Sequence, residues 1–374
     1  MNRRNFLAGA ASIPALTALD NSKRIPEYRV VTKYKAEPQS GMPGPYPGMV
    51  VTVHSPKCID AQTEKVDVPS VKEMIARGMT TLTGDQDPRD SWARFFNDQD
   101  FVGIKINCSG APGAMSMPDV VAEIVRNLIA VGVKPTRIVI HERGGGQILL
   151  ARYEQFVPQG VRIESANTWL GYDPDVYVEA NFFGEDDTRS YLIRMVSEQF
   201  TKIINVPNMK DHSASGVTGC LKNLGYGTFN NVARSHRSPF SFTDPLIGVM
   251  CSVEPLRSKA VLHIMDGMRQ VWHGGPLTQV QEFIYQAGIL FFGTDPVAMD
   301  TVELDAIEKK RREEGVPSLW EHNAESITTN GMEFYHNPRK NLFYRRPGHI
   351  ASAGSLGLGV ADLKRIDHGQ IRLG

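Results

Sequence analysis

The sequence lacks an excess of charge of either sign. Its 374 residues include 41 Lys and Arg and 41 Asp and Glu, so the formal net charge is zero. Domains that bind nucleic acids usually carry a surplus of Lys and Arg that matches the phosphate backbone. The balanced charge therefore argues against a nucleic-acid partner, and none is expected.

Cysteine is scarce, and the four cysteines are far apart in the sequence. They are Cys58, Cys108, Cys220 and Cys251, and no two of them form a Cys-x-x-Cys pair. Iron–sulfur clusters and structural zinc sites are usually built from closely spaced cysteines. An iron–sulfur cluster is therefore not expected. We interpret the cysteines as buried or singly paired thiols, with any disulfide pairing left open.

Several common catalytic motifs are also absent. The sequence has no Gly-x-x-x-x-Gly-Lys-Ser/Thr phosphate loop, no Gly-x-Ser-x-Gly elbow, no His-Glu-x-x-His helix and no Gly-x-Gly-x-x-Gly turn. These motifs mark P-loop ATPases, α/β-hydrolases, zinc peptidases and dinucleotide-binding enzymes. Their absence argues against the first three classes and weakens the case for a standard nicotinamide dehydrogenase.

The N-terminus has the layout of an export signal. Arg3 and Arg4 precede Phe6 and Leu7, and the apolar stretch that follows is about 13 residues long, whereas a membrane-spanning helix needs roughly 20. This order is typical of a twin-arginine signal peptide, which we place at residues 1–19. The alternatives are an ordinary secretion signal or an uncleaved anchor, and the exact cleavage site is open.

The predicted signal implies a route and a destination. The partner would be the twin-arginine translocase, and the mature protein would be periplasmic or extracellular, with no stable membrane span after cleavage. Because that route exports folded proteins, a divalent metal or another cofactor loaded before export is compatible with it. The identity of any cofactor is unknown at this point.

The rest of the chain divides into a lead-in and one large domain. Residues 20–48 include the run GMPGPYPG at 41–48, whose Gly and Pro residues disfavour helix and strand. We therefore expect residues 20–48 to lie on the surface. From residue 49 to residue 374 the pattern predicts a single large α/β domain.

Short apolar runs alternate with helical patterns in this domain. Strands are predicted at residues 49–54, 101–107, 137–140, 202–206, 260–265 and 288–293. Helices are predicted after Asp67, after Asp87 and after Ser116, and from residue 294 to residue 314. Strands that are almost entirely apolar belong to sheets covered on both sides. The fold class is therefore α/β, an open, mostly parallel sheet with helices on both faces.

Polar residues at the carboxyl ends of the strands are the candidate site, because ligands bind there in open α/β sheets. Strand alternation places Lys105 and Asn107 on one face and Ile104 and Ile106 on the other. A lysine in an apolar strand faces a partner or ligand, or else its stem packs while its amine reaches water. Glu142 follows the next strand.

The end of the fourth strand carries the strongest pattern. Lys210 and His212 lie just beyond it, and Lys222 lies one turn into the helix that follows. The hydroxyls of Ser213, Ser215 and Thr218 are available to cap that helix, and Asn223 is adjacent. Lysines, a histidine and hydroxyls around a helix start favour a small anionic ligand. The alternative is a capped helix with surface lysines.

Three aspartates follow the last two predicted strands. Asp266 ends one strand, and Asp295 and Asp300 follow the other. Carboxylates in this position are candidate ligands for a divalent metal. Asp295 precedes Pro296, so the alternative for Asp295 is a helix cap.

The segments GIKIN, INVPNMKDHSASGVTGCLKNLGYGT, LHIMDGM with the GGP that follows it, GTDPVAMD and HIASAGSLGLGVADLKRI resemble the domain of unknown function 362 family. The resemblance extends from about Met49 to the end of the chain. It implies a shared site, whose residues would be Lys105, Lys210, His212, Lys222, Asn223, Asp266, Asp295 and Asp300. Some relatives carry a ferredoxin-like cluster domain, whose cysteines are missing from this sequence.

The leading hypothesis is an exported enzyme that acts on a small anionic substrate. The predicted catalytic residues are Lys105, Lys210, His212 and Lys222, and the predicted substrate-binding residues are Asn107, Glu142, Ser213, Ser215, Thr218 and Asn223. Redox chemistry, isomerisation and hydrolysis all remain open. The alternative is a non-catalytic periplasmic protein that binds a solute or carries a metal or cofactor.

Overall fold

A computed structural model describes residues 26–37, 40–60, 62–166, 171–236, 241–278, 280–321, 336–340 and 345–374. The predicted signal peptide at residues 1–19 lies outside the described residues. In the described part of the chain, no helix has both the length and the apolar composition needed to cross a membrane.

Strands and helices alternate along most of the chain. The strands are β1 (Arg29–Val31), β2 (Met49–His54), β3 (Val102–Ile106), β4 (Ile138–Glu142), β5 (Arg162–Ser165), β6 (Tyr172–Glu179), β7 (Arg189–Ile193), β8 (Lys202–Val206), β9 (Asn208–His212), β10 (Gly216–Val217), β11 (Ala260–Val271), β12 (Ile284–Gly293) and β13 (Asp367–Arg372). The helices are α1 (Val68–Thr83), α2 (Pro88–Ala93), α3 (Pro118–Ala130), α4 (Gly145–Ala151), α5 (Gly219–Thr228), α6 (Thr243–Cys251), α7 (Leu256–Lys259), α8 (Pro296–Glu313) and α9 (His349–Ser355).

The main sheet has the strand order β13-β2-β12-β11-β8-β3-β4-β5. Strand β12 is antiparallel to both of its neighbours, β11 and β2. The other neighbouring pairs in this order are parallel. The predicted α/β class with a mostly parallel sheet is therefore confirmed, and the strand predicted at residues 288–293 is its antiparallel member.

Alternate residues along the strands face two separate cores. Ile204 and Val206 pack in one core with apolar residues of α1, α2 and α3. Ile203 and Phe291 pack in the other core with residues of α5, α6, α8 and α9. This two-residue alternation places helices on both faces of the sheet, as predicted.

Helices α1, α2 and α8 begin with a local aspartate cap, whereas the other six helices named above have no local side-chain cap. Asp67 accepts a hydrogen bond from the backbone N–H of Ser70 at the start of α1, and Asp295 accepts one from Ala298 at the start of α8. Helix α3 begins at Pro118, but Ser116 does not cap it. The Ser116 hydroxyl instead donates to the carbonyl of Val206 and so joins the α3 start to β8.

The lead-in is more ordered than its composition indicates. Residues 41–48 form neither helix nor strand, as predicted, but Arg29–Val31 forms strand β1 in a second sheet of order β1-β6-β7. Met42 is buried in the core. The expectation that residues 20–48 lie on the surface is therefore wrong for Met42, whereas the residues of β1 are exposed or half-buried although they pair with β6.

The four cysteines are buried and unpaired in the described structure. Burial raises the pKa of the Cys58 thiol to about 11 and that of the Cys108 thiol to about 12. Thiols with raised pKa values are poor nucleophiles, so these two cysteines behave as core residues.

Candidate functional site

A row of polar residues crosses the middle of the sheet under α5. Lys105 of β3 lies beside His141 of β4 and Asn205 of β8, and Asn205 lies beside His263 of β11. All four side chains are fully buried. The apolar Ile104 and Ile106 lie in the opposite core, so the predicted alternation in β3 is correct.

The amine of Lys105 is fully engaged by three acceptors. Its Nζ donates to the carbonyl of Ile106 at 2.5 Å, to Glu142 Oε1 at 3.0 Å and to Asn223 Oδ1 at 3.2 Å. The Glu142 carboxylate also accepts backbone N–H groups from Cys108 and Arg143. The alternative in which the Lys105 amine reaches water is therefore wrong, since the amine forms a buried ion pair.

Asn223 of α5 connects the helix to β3, to β8 and to Asn107 just beyond β3. Its Oδ1 also accepts from the side chain of Asn107 at 3.1 Å, and its Nδ2 donates to Asn205 Oδ1 at 2.8 Å. The structure thus brings Lys105, Asn107, Glu142 and Asn223 together. Their mutual hydrogen bonds fix the position of α5 over the carboxyl ends of the strands.

Lys210 lies on β9 and is fully buried. Its Nζ donates to the carbonyl of Ser109, in the loop that follows β3. Burial lowers the pKa of the Lys210 ammonium to about 8, although the nearby Glu142 carboxylate opposes this shift. Lys210 therefore holds the β3 loop and adds positive charge beside Glu142.

Lys222 of α5 is also nearly buried, but its amine lacks such partners. Among the described residues, no hydrogen-bond acceptor or carboxylate contacts its Nζ, which lies 5.1 Å from the centre of the Tyr226 ring. Burial, followed by the charges of Arg143 and Lys210, lowers the pKa of Lys222 to about 7. We call Arg143, Lys210 and Lys222 the cationic cluster.

His212 lies at the end of β9 beside this cluster. Its Nδ1 accepts the backbone N–H of Ala214 at 3.1 Å, so the proton of the neutral ring is on Nε2. Burial, with further contributions from Lys222 and His236, lowers the pKa of His212 well below its usual value. The rings of His212 and His236 are stacked with their centres 6.0 Å apart. His212 is therefore neutral at pH 7.

The predicted capping of α5 by nearby hydroxyls is wrong for two residues. The Ser215 hydroxyl donates to the carbonyl of Val217, and the Thr218 hydroxyl is buried without a partner. The backbone N–H groups of Cys220 and Leu221 are bound instead by the carboxylate of Asp300, which projects from α8. Ser213 is buried between His212 and this turn. A carboxylate from another helix thus replaces the local cap.

The sequence also left open that the lysines of this segment lie on the surface. That alternative is wrong, since Lys210 and Lys222 are buried.

The other two predicted metal ligands also bind backbone N–H groups. Asp266 lies inside β11, not at its end, and accepts from Met117 and Met268. Asp295 accepts from Gly48, Ala298 and Val360.

The antiparallel direction of β12 explains the position of Asp295. Because β12 runs opposite to its neighbours, Asp295 lies beside Gly48, at the amino-terminal start of β2. Asp295 therefore lies at the opposite end of the strands from the lysines. In the described part of the chain, no three His, Cys, Asp or Glu side chains are arranged to hold a metal ion. A metal role for these aspartates stays a prediction.

Sequence reasoning missed several residues that surround the lysines. Arg143 directly follows the Glu142 strand end, so it could have been included on the same argument. Tyr226 and His236 belong to no recognisable motif. Tyr226 lies one turn beyond Lys222 in α5, and His236 ends the short helix at Ala233–His236. His349 belongs to α9, far along the chain, and tertiary packing alone places it near His212.

Fold and site together define an α/β protein with a buried, positively charged site at the carboxyl ends of β3, β4 and β8. The sequence profile of the family described as "Domain of unknown function (DUF362)" matches residues 102–305. This match covers more than half of the chain, and the chain belongs to that family. The matched region contains the whole cationic cluster together with His212, so the site is part of the family domain.

Other comparisons add little to this assignment. No curated protein matches the chain. A crystal structure of a Thermotoga maritima protein, determined by the Northeast Structural Genomics Consortium, is similar with a TM-score of 0.39 and 12% sequence identity. The similarity covers 65% of this chain, and the chain spans 58% of that protein's chain.

Proposed function

We propose that this protein is an enzyme that acts on a small anionic substrate bound by the cationic cluster. The observation that carries the proposal is the state of Lys222, a nearly buried amine whose Nζ has no acceptor among the described residues. A nearly buried amine without an acceptor is costly to ionise, which is why burial lowers the pKa of Lys222. An anionic ligand would supply the missing partner.

The charges around Lys222 support the same conclusion. Glu142 forms an ion pair with Lys105 at 3.0 Å. Its negative charge also partly opposes the lowering of the pKa values of Lys210 and Lys222 by burial. Glu303 and Asp211 also act on Lys210. Glu142, however, is the carboxylate that acts on Lys222, and Arg143 adds a further positive charge near Lys222. A carboxylate or phosphate group would balance this excess and form charge-assisted hydrogen bonds.

His212 gives the site a fixed hydrogen-bond donor. Its Nδ1 accepts the backbone N–H of Ala214, so the neutral ring carries its proton on Nε2, and Lys222 is near enough to affect its pKa. A neutral imidazole of low pKa can donate a hydrogen bond to a substrate carbonyl and polarise it. We assign binding to the cationic cluster and polarisation of the bound substrate to His212.

Anion binding can be tested by thermal unfolding with a panel of carboxylates and phosphates. The wild type should be stabilised by at least one anion, and Lys222→Met should abolish that stabilisation. Lys72→Met, on the exposed face of α1, is the matched control and should respond like the wild type. Equal stabilisation of the wild type and Lys222→Met would overturn the assignment.

Catalysis can be separated from binding with His212→Phe, which removes the Nε2–H donor and keeps an aromatic ring. The stabilising anion is incubated with the protein in deuterated buffer and followed by proton NMR for conversion or exchange of a carbon-bound hydrogen. The wild type should convert or exchange the anion, and His212→Phe should bind it without doing so. Binding without conversion by the wild type would favour a non-catalytic carrier.

We also propose that the protein is exported by the twin-arginine translocase. The support is the order of Arg3, Arg4, Phe6 and Leu7 ahead of a short apolar stretch. Replacing both arginines with lysine should retain the protein in the cytoplasm, as measured by cell fractionation. Unchanged export of that double variant would contradict the route.

A further inference from the structure

The three lysines of the site differ in what their amines contact. Lys105 Nζ donates to three oxygens, and Lys210 Nζ donates to the carbonyl of Ser109. Both amines therefore direct N–H groups at fixed acceptors. Lys222 Nζ has no such acceptor among the described residues and lies against the face of Tyr226. Lys222 thus has the amine whose nitrogen is available to a ligand.

We propose that Lys222 is a nucleophile that forms an imine with its substrate, and that the substrate is a small anion bearing a ketone or aldehyde group. This inference rests on the proposed function and specifies the substrate class for the same site. The anionic group would bind Arg143 and Lys210, which would bring the carbonyl carbon to Lys222 Nζ.

The electrostatics of the site favour this reaction. An amine attacks a carbonyl only in its neutral form, and lysine nucleophiles are activated by burial or by neighbouring cations. Lys222 is both buried and close to other cations, and burial together with the charges of Arg143 and Lys210 lowers its pKa to about 7. A substantial share of the Lys222 amine is therefore neutral at physiological pH.

The reaction balances without an oxidant or reductant. The Lys222 nitrogen forms a bond to the carbonyl carbon, and the carbon–oxygen bond then breaks. The two hydrogens of the neutral amine leave with that oxygen as water. The Nε2–H of His212, which is near Lys222, can donate a hydrogen bond to the carbonyl oxygen and polarise the carbonyl for the attack. The resulting imine would withdraw electrons from the adjacent carbon and so assist proton removal there.

Borohydride reduction tests this proposal because it converts an imine into a stable secondary amine. The wild type is incubated with pyruvate, glyoxylate, 2-oxoglutarate or glyceraldehyde 3-phosphate, reduced, and digested for mass spectrometry. At least one carbonyl compound should give a reduced adduct on Lys222. Lactate, which has the carboxylate but no carbonyl, should give none.

Two variants separate the inference from anion binding itself. Lys222→Arg keeps the positive charge but removes the nucleophile, so it should still be stabilised by the anion while giving no adduct. Lys72→Arg, on the exposed face of α1, should behave like the wild type. If the anions stabilise the wild type through Lys222 but no carbonyl compound gives an adduct there, imine formation is wrong and anion binding stands. If no anion stabilises the protein, both proposals fail.

Discussion

Three lysines within one site have different environments, and their neighbours account for the difference. Lys105 pairs with Glu142, Lys210 binds the carbonyl of Ser109, and Lys222 lies against an aromatic ring. The first two lysines hold structural elements together. The third carries the potential for ligand binding, because its charge is not compensated within the described structure.

The Lys105–Glu142 ion pair is expected to contribute to stability only as a pair. Lys105→Met leaves the Glu142 carboxylate buried without its cation, so it should lower the free energy of unfolding by about 3–5 kcal/mol. The double variant Lys105→Met with Glu142→Leu should lose less, since the unpaired Glu142 carboxylate is gone. Urea denaturation measures both values. A double variant less stable than Lys105→Met would contradict this account.

Lys222 should instead lower the stability of the ligand-free protein. Its pKa falls from 10.5 to about 7 on folding, so the unfolded state binds more protons between these values. The wild type therefore gains stability as the pH rises through this window. In the absence of anions, Lys222→Met should raise the free energy of unfolding at pH 7 by about 1–3 kcal/mol.

The same experiment at higher pH provides the control for Lys222→Met. The gain should be largest below pH 7, where the native lysine is charged, and it should shrink as the pH approaches 10. Denaturation of both proteins across this range measures the effect. A gain independent of pH would mean that packing, not charge, causes it.

Among the secondary-structure elements, α5 depends on a carboxylate supplied by α8. Asp300 accepts the backbone N–H groups of Cys220 and Leu221 in the first turn of α5. Asp300→Ala removes both acceptors and should lower the free energy of unfolding by about 1–2 kcal/mol, the usual effect of losing a helix cap. Asp305→Ala, at an exposed position of the same helix, is the control and should change it by less than about 0.5 kcal/mol. Chemical denaturation compares the two, and equal losses would mean that the cap is unimportant.

Much of the sheet was predictable because apolar runs and helix caps are local features. The strands at 49–54 and 202–206 and the capped helix starts after Asp67 and Asp87 agree with the structure. The direction of β12 was not predicted, because an apolar run has the same composition in parallel and antiparallel strands. The strand β6 contains Pro174, which argues against a strand in sequence-based reasoning.

Part of the site was predictable for a topological reason. Lys105, Glu142 and Lys210 each lie at or just beyond a strand end, and parallel strands bring those ends together. The environment of each lysine could not be predicted, since it depends on contacts between distant segments. Asp300 looked like a metal ligand from its position, yet in the structure it caps α5.

At the scale of the whole molecule, the proposed anion binding by two lysines of lowered pKa predicts a dependence of affinity on pH. Lys222 titrates near pH 7 and Lys210 near pH 8, whereas guanidinium groups keep their charge in this range. Anion affinity should therefore be highest near pH 6 and fall as the pH rises to 9. A titration series at constant ionic strength measures it, and an affinity that rises with pH would exclude binding by these ammonium groups.

The most direct test of the central claim is calorimetric titration of one stabilising anion into the wild type, Lys222→Met and Lys72→Met at pH 6.5. A hydrogen bond to a charged group contributes about 1.5–3 kcal/mol, so Lys222→Met should weaken binding by about 10- to 100-fold. Lys72→Met should bind like the wild type. Equal affinities of the wild type and Lys222→Met would show that the cationic cluster is not the binding site.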